Sequence, residues 1–293
     1  MGLAKKVDLS SCVEVDSRGN ELAGALFNQF NTFHSRDYRT DKRVENISFQ
    51  QRLLEFNLIG VKTPRPNMQI FSPSGASKCA RELYYKALGY KAEDDKYPYH
   101  RRWTRNSTAV HEVVQKDLLY MSKVLKNPAF TVKMMDNGLP AWEENLKTFV
   151  EVEHNGVEFA VLGMMDGVLN YKDGTEVGFE FKTKSNSIGQ VGNYKMKAPA
   201  PYHLEQCTAY SILFGMDEFI LMYESVAKDQ WAKGAEAKSD IRTFYYKVTE
   251  EERTKLLDKF ATVTKAIENR EIPEKQPDKC MFCPYKSLCE GGN

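Results

Sequence analysis

The spacing of apolar residues changes along the chain, and each change predicts an element. Residues 1–68 show little order. Within them "ISFQQRLLEFNLIG" predicts a helix ended by Gly60, and "KTPRPN" (62–67) reads as a linker. "FSPSGASKCARELYYKALGY" predicts a helix with Ser74 as N-cap and Gly89 as its stop, so Cys79 falls inside it. A basic, aromatic loop is expected over "YPYHRRWTRNST" (97–108). Beyond it Val110, Val113, Val114, Leu118, Met121 and Leu125 recur at helical spacing until Asn127-Pro128.

The middle of the chain turns to strands. "FVEVE" and "VEFAVLGMMDGVLNY" flank His154-Asn155-Gly156, and Asn-Gly between such runs is a strong hairpin signal. "YKDGTEVGFEFKTK" adds a turn at Asp173-Gly174 and another strand. "PYHLEQCTAYSILFG" reads as a helix closed by Gly215. "EFILMYES" and "RTFYYKV" read as strands, and a long helix covers 249–269. This order predicts an α/β fold around a mixed sheet. It differs from a doubly wound fold, because three strands run consecutively before a crossover.

Composition narrows the class. The 293 residues are 42% hydrophobic and 28% charged, enough for a core in one large domain or one domain with an appendage. No apolar run approaches the ~20 residues that span a bilayer, and the start lacks the apolar stretch of a secretory signal. A cytoplasmic protein is therefore expected, in which clustered cysteines bind metal more often than they pair. With 41 basic and 40 acidic residues, attraction to a nucleic acid has to come from a local patch.

One such cluster is acidic. Residues i and i+2 of a strand share a face. In "FEFKTK", Phe179 and Phe181 therefore point to the core, while Glu180 and Lys182 project together on the other side. Asp166, in "GMMDGVL", is expected on the preceding strand beside Glu180. Paired carboxylates suit a hard divalent cation such as Mg2+, with a lysine to hold water or stabilise charge. Alternating charges also mark many solvated strand faces. His111 lies on an otherwise apolar stretch, where it is either a nitrogen ligand or a core residue. Gln206 and Tyr210 are four apart, hence on one helical face.

The second cluster is "KCMFCPYKSLC" (279–289), which holds three of the six cysteines at C-x2-C-x5-C. The residues alone leave zinc, an iron–sulfur cluster or no metal open. Cys207 is read as a packing residue, and Cys12 carries no signal.

His111, "GMMDGV", "EFK" and Gln206-x3-Tyr210, in this order, resemble the RecB-like branch of the PD-(D/E)XK nuclease superfamily. The resemblance covers 68–293 and leaves 1–67 as an N-terminal extension of unknown role. It implies a restriction-endonuclease-like core, a mixed sheet flanked by helices. It also implies a Mg2+ or Mn2+ site at His111, Asp166, Glu180 and the Phe181 carbonyl. Lys182 would be the catalytic lysine, with Gln206 and Tyr210 closing the site. Met165 stands where the superfamily's name has proline. Cys79 with Cys280, Cys283 and Cys289 resembles the staple of the AddB nuclease domain and of CRISPR-associated RecB-like exonucleases, which implies a [4Fe-4S] cluster with zinc as the alternative.

Such a protein is expected to be a metal-dependent DNA exonuclease acting on single-stranded or end-bearing DNA. The resemblance implies recombination, end processing or spacer acquisition in a prokaryotic cell or the host of a prokaryotic virus, with recombination or CRISPR partner proteins and no membrane. Candidate DNA contacts are Arg101, Arg102, Trp103, Arg105, Lys184, Lys195 and Lys197. Competing readings are a catalytically silent DNA-end-binding subunit, a zinc-stapled interaction protein, and a phosphodiesterase for RNA or small nucleotides.

Overall fold

The computed structural model describes residues 10–56, 63–93 and 97–291. Gly60, part of the 62–67 linker and the Cys12 side chain lie outside the described residues. Two helices come first, α1 (Ser10–His34) and α2 (Lys42–Phe56), followed by β1 (Gln69–Phe71). Helices α3 (Ala80–Ala87) and α4 (Pro98–Val124) lead to β2 (Phe130–Val132) and a single turn, α5 (Glu143–Leu146). Four strands follow: β3 (Thr148–His154), β4 (Val157–Gly163), β5 (Gly167–Tyr171) and β6 (Glu176–Lys184). The chain continues through α6 (Pro201–Phe214), β7 (Glu218–Ser225), β8 (Ile241–Lys247), α7 (Glu250–Asn269) and α8 (Lys286–Gly291).

The strands form two mixed sheets rather than one. The larger has the order β2-β5-β6-β7-β8, antiparallel except where β7 runs parallel to β6 across the α6 crossover. The smaller has the order β1-β4-β3, with β1 parallel to β4. The Asn155-Gly156 hairpin forms as expected, with both residues at positive φ (51° and 76°). The apolar run read as one strand is instead two, β4 and β5, which belong to different sheets. The chain crosses between the sheets at Met164–Asp166.

Residue parity follows the sequence pattern. Phe179 and Phe181 of β6, with Ile220 and Met222 of β7, pack under α1 and α4. Phe219, Leu221 and Tyr223 face α6, where Cys207 and Tyr210 are buried, so Cys207 is the packing residue expected. The small sheet is covered by α6 and α7 through Phe159, Val161, Leu213 and Phe260.

Three local expectations are corrected. The α3 helix starts at Ala80 rather than after Ser74, and Cys79 is its N-cap, its sulfur accepting from the Glu82 N–H at 3.3 Å. The preceding residues Pro73–Gly75 form a separate 3-10 turn directly after β1 instead of joining α3. Pro73 also sits so close to Gly163 that a Cβ there would lie 2.6 Å from its ring. The expected loop at 97–108 is the first part of α4. Pro98 at the first helical position pre-sets φ, and the Tyr97 N–H donates to His100 Nδ1 at 3.3 Å. Residues 101–106 are all exposed, so no apolar period marks them. Val113 is also exposed, unlike its apolar neighbours.

The N-terminal segment, weakly patterned in sequence, packs on the core. Leu22, Leu26, Phe30 and Phe33 of α1 are fully buried in the same cluster as β5, β6 and β7. Their helical stripe is diluted by glycines and asparagines. Gly19 permits the close approach to β8, since a Cβ there would meet the Tyr245 ring at 2.6 Å. Arg18 of α1 also donates to Glu218 at 2.7 Å.

Candidate active site

Strand register opens the site. The pairing of β5 with β6 begins at Gly167 opposite Phe179, so beyond Phe179 the β5-side edge of β6 has no strand partner there. Asp166 fills that edge: its Oδ2 accepts from the Phe181 N–H at 2.8 Å. It lies in the break before β5 rather than on the strand. From α4, on the Phe179/Phe181 face, His111 lies over the Phe181 ring at 5.8 Å and places Nε2 3.2 Å from Asp166 Oδ2. From the opposite face come Glu180, which is fully buried, and Lys182, whose ammonium closes on Glu180 Oε1.

A residue absent from the sequence reading completes the group. Glu143 Oε1 lies 3.4 Å from His111 Nδ1, and His111, Glu143 and Asp166 bring ligand atoms within 4.8 Å of one another. Glu143 takes φ 48°, a conformation few non-glycine residues adopt, and its N–H donates to the Met165 carbonyl at 3.0 Å. Gln115, one turn beyond His111, donates to Glu143 at 3.3 Å and to the Asp166 carbonyl at 2.8 Å. "PAWEEN" has no period or spacing that would mark Glu143. Only the closure of α4 onto the Met164–Asp166 break does so.

The field here is one of crowded negative charge. Burial and the nearby Asp166 push the Glu180 carboxyl up to about 7. Burial works against the charged forms of Asp166 and His111 as well, but their mutual contact outweighs it. Asp166 therefore falls below the carboxylate range, and His111 rises to about 8. Lys182 is likewise raised, the acids beside it outweighing burial. Among the described residues four buried side-chain atoms lack a hydrogen bond of good geometry, and three are here: both oxygens of Glu180 and His111 Nε2, whose charged contacts are Lys182 and Asp166. The cleft beside them has a volume of about 300 Å³ and is lined by His111, Asp166, Phe181 and Lys182 with Ser107 and Thr183.

On α6, Gln206 donates to the Tyr210 hydroxyl at 2.6 Å, and burial beside Glu180 raises Tyr210 well above the usual phenol value. The Gln206 amide is thus spent on Tyr210. One turn earlier His203, which the sequence reading also missed, pairs Nδ1 with the Tyr223 hydroxyl at 2.7 Å. Burial and the nearby Lys182 and Lys184 depress it to about 3.

The four cysteines converge although 201 positions separate Cys79 from Cys280. Cys79, Cys280, Cys283 and Cys289 line one small cavity together with Arg81 and Tyr85. Arg81 Nη1 donates to Cys289 Sγ at 3.3 Å, and Nε to the Pro273 carbonyl at 2.7 Å. Tyr84, Tyr85 and Tyr285 pack the tail onto α3 and α7.

Of the candidate DNA contacts, Arg101, Arg102, Trp103 and Arg105 are exposed on α4. Lys195 and Lys197 are exposed on the loop before α6, and Lys184 lies 5.5 Å over the Tyr223 ring. A larger cavity of about 720 Å³ lies between α6, α7 and residues 273–279. Four lysines and three glutamates line it, and none of the converging groups reaches it.

Residues 79–290 match the sequence pattern of the PD-(D/E)XK nuclease superfamily. The chain belongs to that superfamily. Its members use divalent metals, and this PD-(D/E)XK chain carries a mixed α/β core with an acidic group at the expected strand. Met165, at the position of the superfamily's proline, is buried beside Gly178. Among solved structures the chain is similar to SSO0001 (16% identity, TM-score 0.43, covering 87% of this chain and 100% of that one). It is also similar to the alkaline exonuclease LHK-Exo from Laribacter hongkongensis (12% identity, TM-score 0.41, covering 68% and 90%). No curated protein matches the sequence. Among the described residues no helix is long and apolar enough to cross a membrane.

Proposed function

We propose that this PD-(D/E)XK protein is a RecB-like, Mg2+- or Mn2+-dependent DNA exonuclease that prefers single strands and is tied together by a [4Fe-4S] cluster. The nuclease domain would span 68–293, with 1–67 preceding it and α1 bracing its sheet. The resemblance to RecB-like exonucleases implies a place in recombination, end processing or spacer acquisition.

The observation that carries the reading is the convergence of His111, Glu143 and Asp166, whose ligand atoms lie within 4.8 Å of one another, beside the fully buried Glu180 that Lys182 pairs at one oxygen only. A buried carboxylate oxygen left without a hydrogen bond costs about 1–3 kcal/mol, more when charged. The carboxyls of Asp166, Glu143 and Glu180 crowd negative charge around the same point. A hard cation satisfies both conditions. His111, Asp166, Glu180 and Glu143 would hold it. The Phe181 carbonyl would join them, because a strand residue's C=O projects to the same edge as its N–H, which here meets Asp166. Bound there, the ion supplies a Lewis acid that lowers the pKa of water and takes up phosphate charge.

The chain's own residues do the rest. Lys182, held charged by Glu180, opens onto the cleft and stabilises negative charge developing on the scissile phosphate. Tyr210, kept protonated by burial and fixed by Gln206, holds the wall behind Glu180. Gln115 orients Glu143 and the Asp166 backbone.

For the cysteines, four thiolates suit a [4Fe-4S] cluster as well as zinc, and the likeness of Cys79 and the C-terminal trio to the staple of the AddB-type nucleases favours the cluster. Iron and acid-labile sulfide in anaerobically purified protein test this reading, and zinc alone would refute it.

The test of function is degradation of end-labelled single- and double-stranded DNA with Mn2+, Mg2+ or EDTA, comparing wild type with Lys182→Ala. Cutting by the wild type only, with metal only, and slowed at least about 10²-fold in the variant is expected. Binding without cutting would make the chain an end-binding subunit.

A further inference from the structure

We propose that the first three turns of α4 form a stacking rail that carries a single DNA strand, base by base, into the cleft. This deepens the nuclease reading and rests on it for the direction of travel.

Tyr97, Tyr99 and Trp103 are 57%, 47% and 49% exposed, a concentration of large aromatics that a solvated helix does not need. They already contact one another. Tyr97 and Tyr99 stack at 5.9 Å with planes 8° apart, and Tyr99 meets Trp103 edge to face at 5.8 Å. Arg101, Arg102 and Arg105 are interleaved with them, and the sequence places no acid between Tyr97 and His111. Aromatic faces with surrounding cations and no anion complement bases on a phosphate backbone.

The register of α4 links this patch to the chemistry. Tyr99, Trp103, Ser107 and His111 are successive members of one i, i+4 row, each about 6 Å further along and about 40° further round. The row leaves solvent as it goes. Ser107 shares a hydrogen bond with Thr183 in the cleft wall at 2.7 Å, and His111 meets Asp166. Trp103 thus lies about 12 Å from His111 along the axis, a distance of few nucleotide steps. Base faces are open to such a row only in an unpaired strand, because a duplex stacks them on each other. The rail therefore selects single strands.

The test is binding of labelled oligo-dT, an abasic strand of equal length and a blunt hairpin, in EDTA so that nothing is cut. Trp103→Ala and Tyr99→Ala should each weaken oligo-dT binding roughly 5- to 100-fold, the worth of one stacked base. Trp103→Phe should restore most of the loss. Binding of the abasic strand and of the hairpin should change less than about threefold, since phosphate contacts supply them. Unchanged oligo-dT affinity in both alanine variants, or an equal loss on the abasic strand, overturns the rail. Either result leaves the nuclease reading intact if the wild type still cuts. Base-dependent binding by a wild type that does not cut would sink the nuclease reading and keep the rail.

Discussion

The two sites where ligands gather are built on opposite principles. The cleft collects hard oxygen and imidazole donors, and it does so at a cost, with Glu180 fully buried beside Asp166 and Glu143 at positive φ. The cysteine site collects soft sulfur side chains from the cap of α3 and the tail, and it surrounds them with packed tyrosines and a donating Arg81. The cleft draws its groups from α4, β6 and the Met164–Asp166 break, whereas the cysteine site joins the cap of α3 to the tail. Strain concentrates where chemistry is done, and under the proposed staple cross-linking concentrates where a tail would otherwise fray.

The largest expected effect is a crossover between the two. Asp166→Ala should abolish cutting while the protein remains folded and coloured. Cys283→Ala should bleach the colour and lower Tm by about 10 °C or more. Parallel melting curves, absorbance spectra and DNA assays check both. A Cys283→Ala protein as stable as wild type would remove the staple from the comparison.

A middle-sized effect should separate the cleft by pH. His203 is depressed from 6.5 to about 3, mainly by burial. The unfolded chain therefore takes up a proton below pH 6.5 that the folded chain refuses until near pH 3, and stability is lost as pH falls through that window. At pH 5 the loss is about 2 kcal/mol, or ~4–8 °C in Tm. His203→Gln should flatten the Tm profile between pH 6.5 and 4 relative to wild type, and parallel profiles would contradict the assignment.

The smallest effect sharpens the staple. Arg81→Ala removes donors to Cys289 and to the Pro273 carbonyl, and a net loss of about 1–3 kcal/mol, a few degrees of Tm, is expected without loss of colour. A bleached variant would show instead that Arg81 is needed for assembly of the cluster.

By itself the sequence determined whatever depends on a residue's nearest neighbours. Period two in "FEFKTK" placed Glu180 and Lys182 opposite Phe179 and Phe181, Asn155-Gly156 formed its hairpin, and Gly215 ended α6. The tertiary structure decided what needed two distant elements to meet. Glu143 joined the site only because the turn after Trp142 packs under α4. Asp166, a candidate from sequence, reaches the β6 edge from the break before β5 because the chain leaves one sheet for another there. Cys79 became a cap because Pro73–Gly75 form a separate turn after β1 instead of joining α3. The polar start of α4 hid its helix, since a helix exposed all round leaves no periodic trace. Local conformation is encoded by local periodicity, but the convergence of ligands is encoded by packing, which no single stretch of residues contains.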